Sequence, residues 1–67
     1  MAVARVTEIV ASSSKSWQDA AEAGFKRASK TLRGITGIRL MEATAAVKKD
    51  KIIEYRVRMK VMFVLDE

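Results

Sequence analysis

The sequence predicts an α+β fold: a β-α-β-β chain whose three-stranded antiparallel sheet, ordered 1-3-2, wraps around one helix. Three observations lead there. Residues 51–65, KIIEYRVRMKVMFVL, alternate strictly. Ile53, Tyr55, Val57, Met59, Val61, Phe63 and Leu65 share one side, and Glu54, Arg56, Arg58 and Lys60 share the other, which is the period of a half-buried strand. Trp17, Ala20, Ala21, Phe25, Ala28 and Leu32 recur at spacings of three and four, which is the stripe of an amphipathic helix. A β-branched stretch precedes that helix and a second strand-like stretch follows it.

Val3 to Val10 forms the first predicted strand. Its facing is ambiguous, because Val6 and Val10 lie on one side and Val3, Thr7 and Ile9 on the other. The serines of Ala11-Ser12-Ser13-Ser14 offer N-cap oxygens for the first helical turn, and Ser13 is the expected cap. A capping role outranks a catalytic one, since no histidine exists to serve as base and no nucleophile-elbow glycines surround the serines. The helix is expected from Ser14 to Leu32. Asp19 and Glu22 sit early and Lys26, Arg27, Lys30 and Arg33 late, as the helix dipole favours. Gly24 on the stripe allows a close neighbour, and Gly34 stops the helix.

Ile35 to Val47 is the second strand, and Lys48-Lys49-Asp50-Lys51 the turn into the long strand. An even hairpin opposes Arg39 to Lys60 and Gly37 to Met62 on the outer face. It also puts Ala43 and Ala45 on the outer face, opposite Arg56 and Glu54. Leu40 then meets Met59 and Ile38 meets Val61 on the inner face. Glu42 lands inward against Val57, which a bulge or a partner charge would relieve. Strands one and two, joined through a helix, run parallel, and strand three between them is antiparallel to both.

Sixty-seven residues make one domain, 1–67, with neither cysteine nor histidine. A chain of this size buries only about 60% of its unfolded surface, and oligomerisation is the remaining common support. A 13-residue strand spans about 43 Å, against about 28 Å for a 19-residue helix. One helix therefore leaves apolar sheet uncovered, and such a surface marks an interface. The net charge of +5 permits anionic partners without selecting one. The N-terminus lacks signal-peptide organisation and no run approaches a membrane span. The expectation is a cytoplasmic protein without a membrane partner.

Among chemical constellations, Arg39, Arg56, Arg58 and Lys60 form an outer basic face. A salt-bridged polar face ranks first there and an anion site second. The acids Glu8, Glu42, Glu54, Asp66 and Glu67 are scattered without calcium-loop spacing. No RNA- or DNA-binding signature interleaves aromatics with the basic residues, so a nucleic-acid module ranks last. Nothing supports catalysis or a metal centre within one chain.

The pattern V-x-x-V-T-E-I-V-A-S-S-x-x-S-W at residues 3–17, the helix ending R-A-S-K-T-L, and the strand E-Y-R-V-x-M-K-V-x-F-V-L resemble the dodecins over Val3 to Leu65. The resemblance implies a non-enzymatic binding and storage protein that assembles as a hollow homododecamer. It also implies flavin, riboflavin or FMN, as the family's ligand. Carried over by position, the ligand-binding set is Gly37, Arg39, Glu42 and Arg56. Gly37 stands where flavin-binding members carry a stacking tryptophan, and Arg56 where they carry a glutamine that bonds the ring edge. Glu42 retains the family's acidic residue, and Trp17 matches a core aromatic at the helix start. Some members lacking the tryptophan bind calcium or have no known ligand, and this chain resembles that branch. A structural or calcium-binding shell without flavin is therefore the alternative.

Overall fold

A computed structural model describes residues 3–65 of the chain. Asp66 and Glu67 lie outside the described residues. Strand β1 is Val3–Ser13, helix α1 is Trp17–Ala28, β2 is Ile35–Lys48 and β3 is Lys51–Leu65. The sheet order is β1-β3-β2, and β3 is antiparallel to both neighbours. The long alternating strand is central, as its apolar face requires. Val57, Met59, Val61 and Phe63 are buried under the helix side, and the residues between them are more exposed. Ala20 and Ala21 of α1 close the core over Val57 and Met59, with Ile9 and Ala11 of β1 packed alongside.

The helix is shorter at both ends than its stripe suggests. Ser16, not Ser13, is the N-cap: its backbone is extended and its Oγ accepts from the Asp19 amide at 2.9 Å. Ser13 ends β1 instead. Its hydroxyl donates to Asp19 Oδ2 at 2.6 Å and accepts from the Lys15 amide at 2.9 Å, which ties the strand to the first helical turn. At the other end the hydroxyls of Ser29 and Thr31 donate to the carbonyls of Lys26 and Ala28. Such local bonds compete with helix continuation. The chain tightens through three-residue bonds from Lys30 to Arg27 and from Thr31 to Ala28. Gly34 is therefore not the helix stop. It has φ +73° and turns the chain into β2, where a Cβ would sit only 2.8 Å from the Val64 carbonyl oxygen.

The β1 facing resolves with Thr7, Ile9 and Ala11 half-buried toward the helix and Val6 and Val10 exposed on the opposite face. Trp17 is not core. It is 39% exposed, and its indole N–H donates to the Thr44 carbonyl at 2.8 Å. Its ring meets Tyr55 edge-on at 4.9 Å, so it pins the N-terminal end of α1 to β2 and β3.

The β2–β3 register is that of the even hairpin at Val47 and Lys48, beside the turn, and again from Gly37 to Leu40. Between them it shifts by one residue, once between Ala46 and Val47 and back between Leu40 and Glu42. A one-residue slip exchanges faces, and here it does so for Glu42 to Ala46. Glu42 consequently opposes Arg58 rather than Val57, so an inward carboxylate against the apolar core is avoided. Ala43 and Ala45 oppose Val57 and Tyr55, on the helix side rather than the outer face, and Thr44 opposes Arg56.

Lys49 and Asp50 join the strands with φ values of 52° and 61°. Two positive φ angles in a two-residue loop define the turn whose twist suits a hairpin, and Asn-Gly is its preferred sequence. A non-glycine residue in the left-handed region carries about 1–2 kcal/mol of strain. Asp50→Gly is expected to raise stability by about 1 kcal/mol, seen as a higher urea midpoint at unchanged slope. An unchanged or lower midpoint would mean that the Asp50 side chain contributes more than its backbone conformation costs.

Candidate outer-face ligand site

The pleat of β3 sets the outer face, and each of its residues aligns one residue from either neighbour. Four cross-strand rows result: Val6–Met62–Gly37, Glu8–Lys60–Arg39, Val10–Arg58–Glu42 and Ser12–Arg56–Thr44. The four candidate residues therefore all lie on this face, including Glu42 once the bulge is counted. They are not all together. Arg39 and Glu42 flank Arg58 and Lys60, but Gly37 and Arg56 lie six β3 positions apart, about 20 Å at ~3.3 Å per residue. No single flat molecule touches both within one chain. Any site that uses both requires a second copy.

The charges are unevenly matched. Arg58 engages two carboxylates: its Nη1 donates to Glu8 Oε1 at 3.1 Å, and its Nε lies 3.8 Å from Glu42 Oε1. The hydrogen bond to Glu8, then the charges of Glu8 and Glu42, raise the pKa of the guanidinium. One arginine thus ties all three strands together across the outer face. Arg56 is bonded through Nε to Glu54 on its own strand. Among the described residues, Arg39 and Lys60 have no carboxylate within ion-pair distance, although they are direct cross-strand partners. Like charges so placed repel.

Gly37 has ordinary backbone torsions, and the only side chain close to the place of a missing Cβ is the tip of Met62, at 3.3 Å. It lines a recess of about 350 Å³ with Phe25, Ile35, Thr36 and Ile38. A larger recess, about 510 Å³, lies between α1 and β1, lined mainly by apolar groups with Thr7, Thr31 and Arg27. The sequence reading opposed Lys60 to Arg39, as the register does, but missed Phe25 and Glu8 as parts of the Gly37 and Arg39 neighbourhood. The helical stripe assigned Phe25 to the core, whereas it is 43% exposed.

The family profile described as Dodecin matches residues 3–66. Dodecin from Streptomyces davaonensis is 35% identical, with a TM-score of 0.93 over 98% of this chain and 97% of its own. A variant of the Thermus thermophilus dodecin is 30% identical, with a TM-score of 0.95 over 100% of both chains. The calcium dodecin of Mycobacterium tuberculosis, a calcium-chelating immunodominant antigen with a novel calcium-binding site, is 31% identical. Its TM-score is 0.83 over 96% of this chain and 91% of its own. No curated protein sequence matches.

Proposed function

Because the chain belongs to the dodecin family, we propose that it is one subunit of a homo-oligomeric shell, a dodecamer, that binds a small flat anionic ligand without transforming it. The observation that carries this reading is the mismatch between sheet and helix. Twelve helical residues span about 18 Å, whereas the molecule is 53 Å long. Val6, Val10, Leu40 and Val47 are each more than half exposed. A marginal 67-residue domain gains most by burying such groups against copies of itself. Light scattering on the purified protein is expected to give roughly twelve times the 7.5 kDa chain mass. A folded monomer at micromolar concentration overturns the assembly.

The ligand is a flavin or a flat molecule like it, held more weakly than a tryptophan-bearing site would hold it. Gly37 offers no ring, and Arg56 is engaged by Glu54. The visible absorption spectrum of the protein as purified, with riboflavin titration, tests this part. The resemblance to the calcium dodecin supports a second reading, a calcium-binding shell. Among the described residues no three acidic side chains converge, and Glu8 and Glu42 converge on Arg58. Calcium would therefore need carboxylates from several subunits. Calcium titration by calorimetry, with and without flavin, separates the two. No helix among the described residues is long and apolar enough to cross a membrane.

A further inference from the structure

The recess between α1 and β1 lies on the helix side of the sheet and takes no part in the outer-face site. The two elements touch at Gly24, where a Cβ would lie 2.9 Å from Ala11 Cβ. From that contact a recess of about 510 Å³ extends along Ile9, Ala28 and Leu32, with Thr7 and Thr31 beside them. Small-molecule sites commonly enclose about 300–1,000 Å³. Arg27 also lines the recess and is exposed. Lys26 shares the last helical turn with it, and Lys30 follows just beyond. A helix C-terminus carries only about half a negative charge. Among the described residues, none of these three cations has a carboxylate within ion-pair distance. The recess is thus apolar along its length and positive where Arg27 borders it.

We propose that this recess binds a fatty acid, with its carboxylate on Arg27 and its alkyl tail along Ile9, Ala28 and Leu32. The guanidinium offers two parallel N–H donors that match a carboxylate, and Lys26 and Lys30 add a field of the same sign. The tail requires no polar partner. A second copy of the chain is the rival occupant, and its charges suit the place poorly. Its net charge is +5. Most of its described acids are already engaged: Glu8 and Glu42 by Arg58, Glu54 by Arg56, and Asp19 by Ser13. A small amphiphilic anion meets both the apolar length and the positive border. This inference does not rest on the outer-face ligand.

The test uses the assembled protein at low salt, with octanoate, decanoate and dodecanoate titrated by calorimetry below the concentration at which each forms micelles. Affinity is expected to rise roughly fourfold per added methylene, the fold-change that accompanies burial of one CH₂. Decanol is expected to bind about tenfold more weakly than decanoate, since it lacks the charge-assisted bond, and decyltrimethylammonium more weakly still. Arg27→Met is expected to bring decanoate down to the level of decanol, while decanol binding and Tm stay unchanged. Saturating riboflavin is expected to leave decanoate affinity unchanged. Decanoate binding without any flavin uptake supports this site and sinks only the flavin reading. Affinity independent of tail length overturns the proposal, as does equal affinity for decanoate and decyltrimethylammonium, which marks adsorption to exposed apolar surface. Unchanged decanoate binding in Arg27→Met overturns it too. Competition with riboflavin would put the fatty acid on the outer face instead and overturn the site. Absence of binding, or binding only as the mass falls in light scattering, overturns it because a neighbouring subunit then fills the recess.

Discussion

Gly37→Trp combined with Arg56→Gln is expected to raise riboflavin affinity by at least tenfold. An aromatic side chain brings about 150–250 Å² of contact surface and about 0.5–1.5 kcal/mol of stacking beyond its area. At ~25 cal/mol per Å² the area alone has an upper limit of about 4–6 kcal/mol, so tenfold is a conservative floor. The backbone at Gly37 has no positive φ, and only the flexible Met62 tip must move aside for a Cβ. Glutamine adds an acceptor for a ring N–H, which arginine lacks entirely, and it releases the position from Glu54. Quenching of riboflavin fluorescence on titration is the readout. Because Gly37 and Arg56 are about 20 Å apart in one chain, their effects on one ligand couple only where two copies share a site. A double mutant that merely sums the single mutants, in free energy, would place them in separate sites. Tight quenching by the unmodified protein would show that the site does not depend on these residues, and no gain in the double mutant would show that the pocket has diverged elsewhere.

Gly24→Val is expected to destabilise the fold by about 2–3 kcal/mol, the upper part of the range for overpacked cores. A Cβ at Gly24 would lie 2.8 Å from Met59 Cε and 2.9 Å from Ala11 Cβ. The methionine tip can swing away. The alanine Cβ is fixed to the β1 backbone, so α1 must lift off β1 instead. Gly24→Ala sets a smaller clash against a helix-propensity gain of about 1 kcal/mol and is expected to fall between glycine and valine. Denaturant midpoints of the three proteins check the order. A valine variant as stable as glycine would mean that α1 and β1 are not packed this closely in solution.

The sequence was informative where one pattern dominated. The strict alternation of β3 located the central strand, and the helix-linked pair of strands then required the 1-3-2 order. The hairpin register was legible at Val47 and Lys48, where the short polar turn fixes it, and again from Gly37 to Leu40. From Glu42 to Ala46 it was not, since the two compensating irregularities that bound this stretch leave no mark in composition. Their trace was Glu42, which an even register placed against Val57. The cap was ambiguous because Ser12, Ser13, Ser14 and Ser16 all offer hydroxyls, and the choice depended on where β1 ended. The helix end was misplaced because the Leu32 spacing continues a stripe that Ser29 and Thr31 interrupt with side-chain hydrogen bonds. For the site, the sequence supplied the members but not their separation. Gly37 and Arg56 read as one pocket on a resemblance and lie at opposite ends of a face. The pairing of Arg58 with both Glu8 and Glu42 needed the three strands side by side.

The middle of the sheet is the last part of it to be made. Strands β1 and β2 do not pair with each other, and each finds its hydrogen-bonding partner only in β3. At roughly 5–20 residues per second of synthesis, β1 waits several seconds on the ribosome before Lys51 and the residues after it are available. Until then its β-branched residues and backbone amides have no sheet to join. Folding of this unit is thus held back until β3 emerges and both neighbours can zip onto it together.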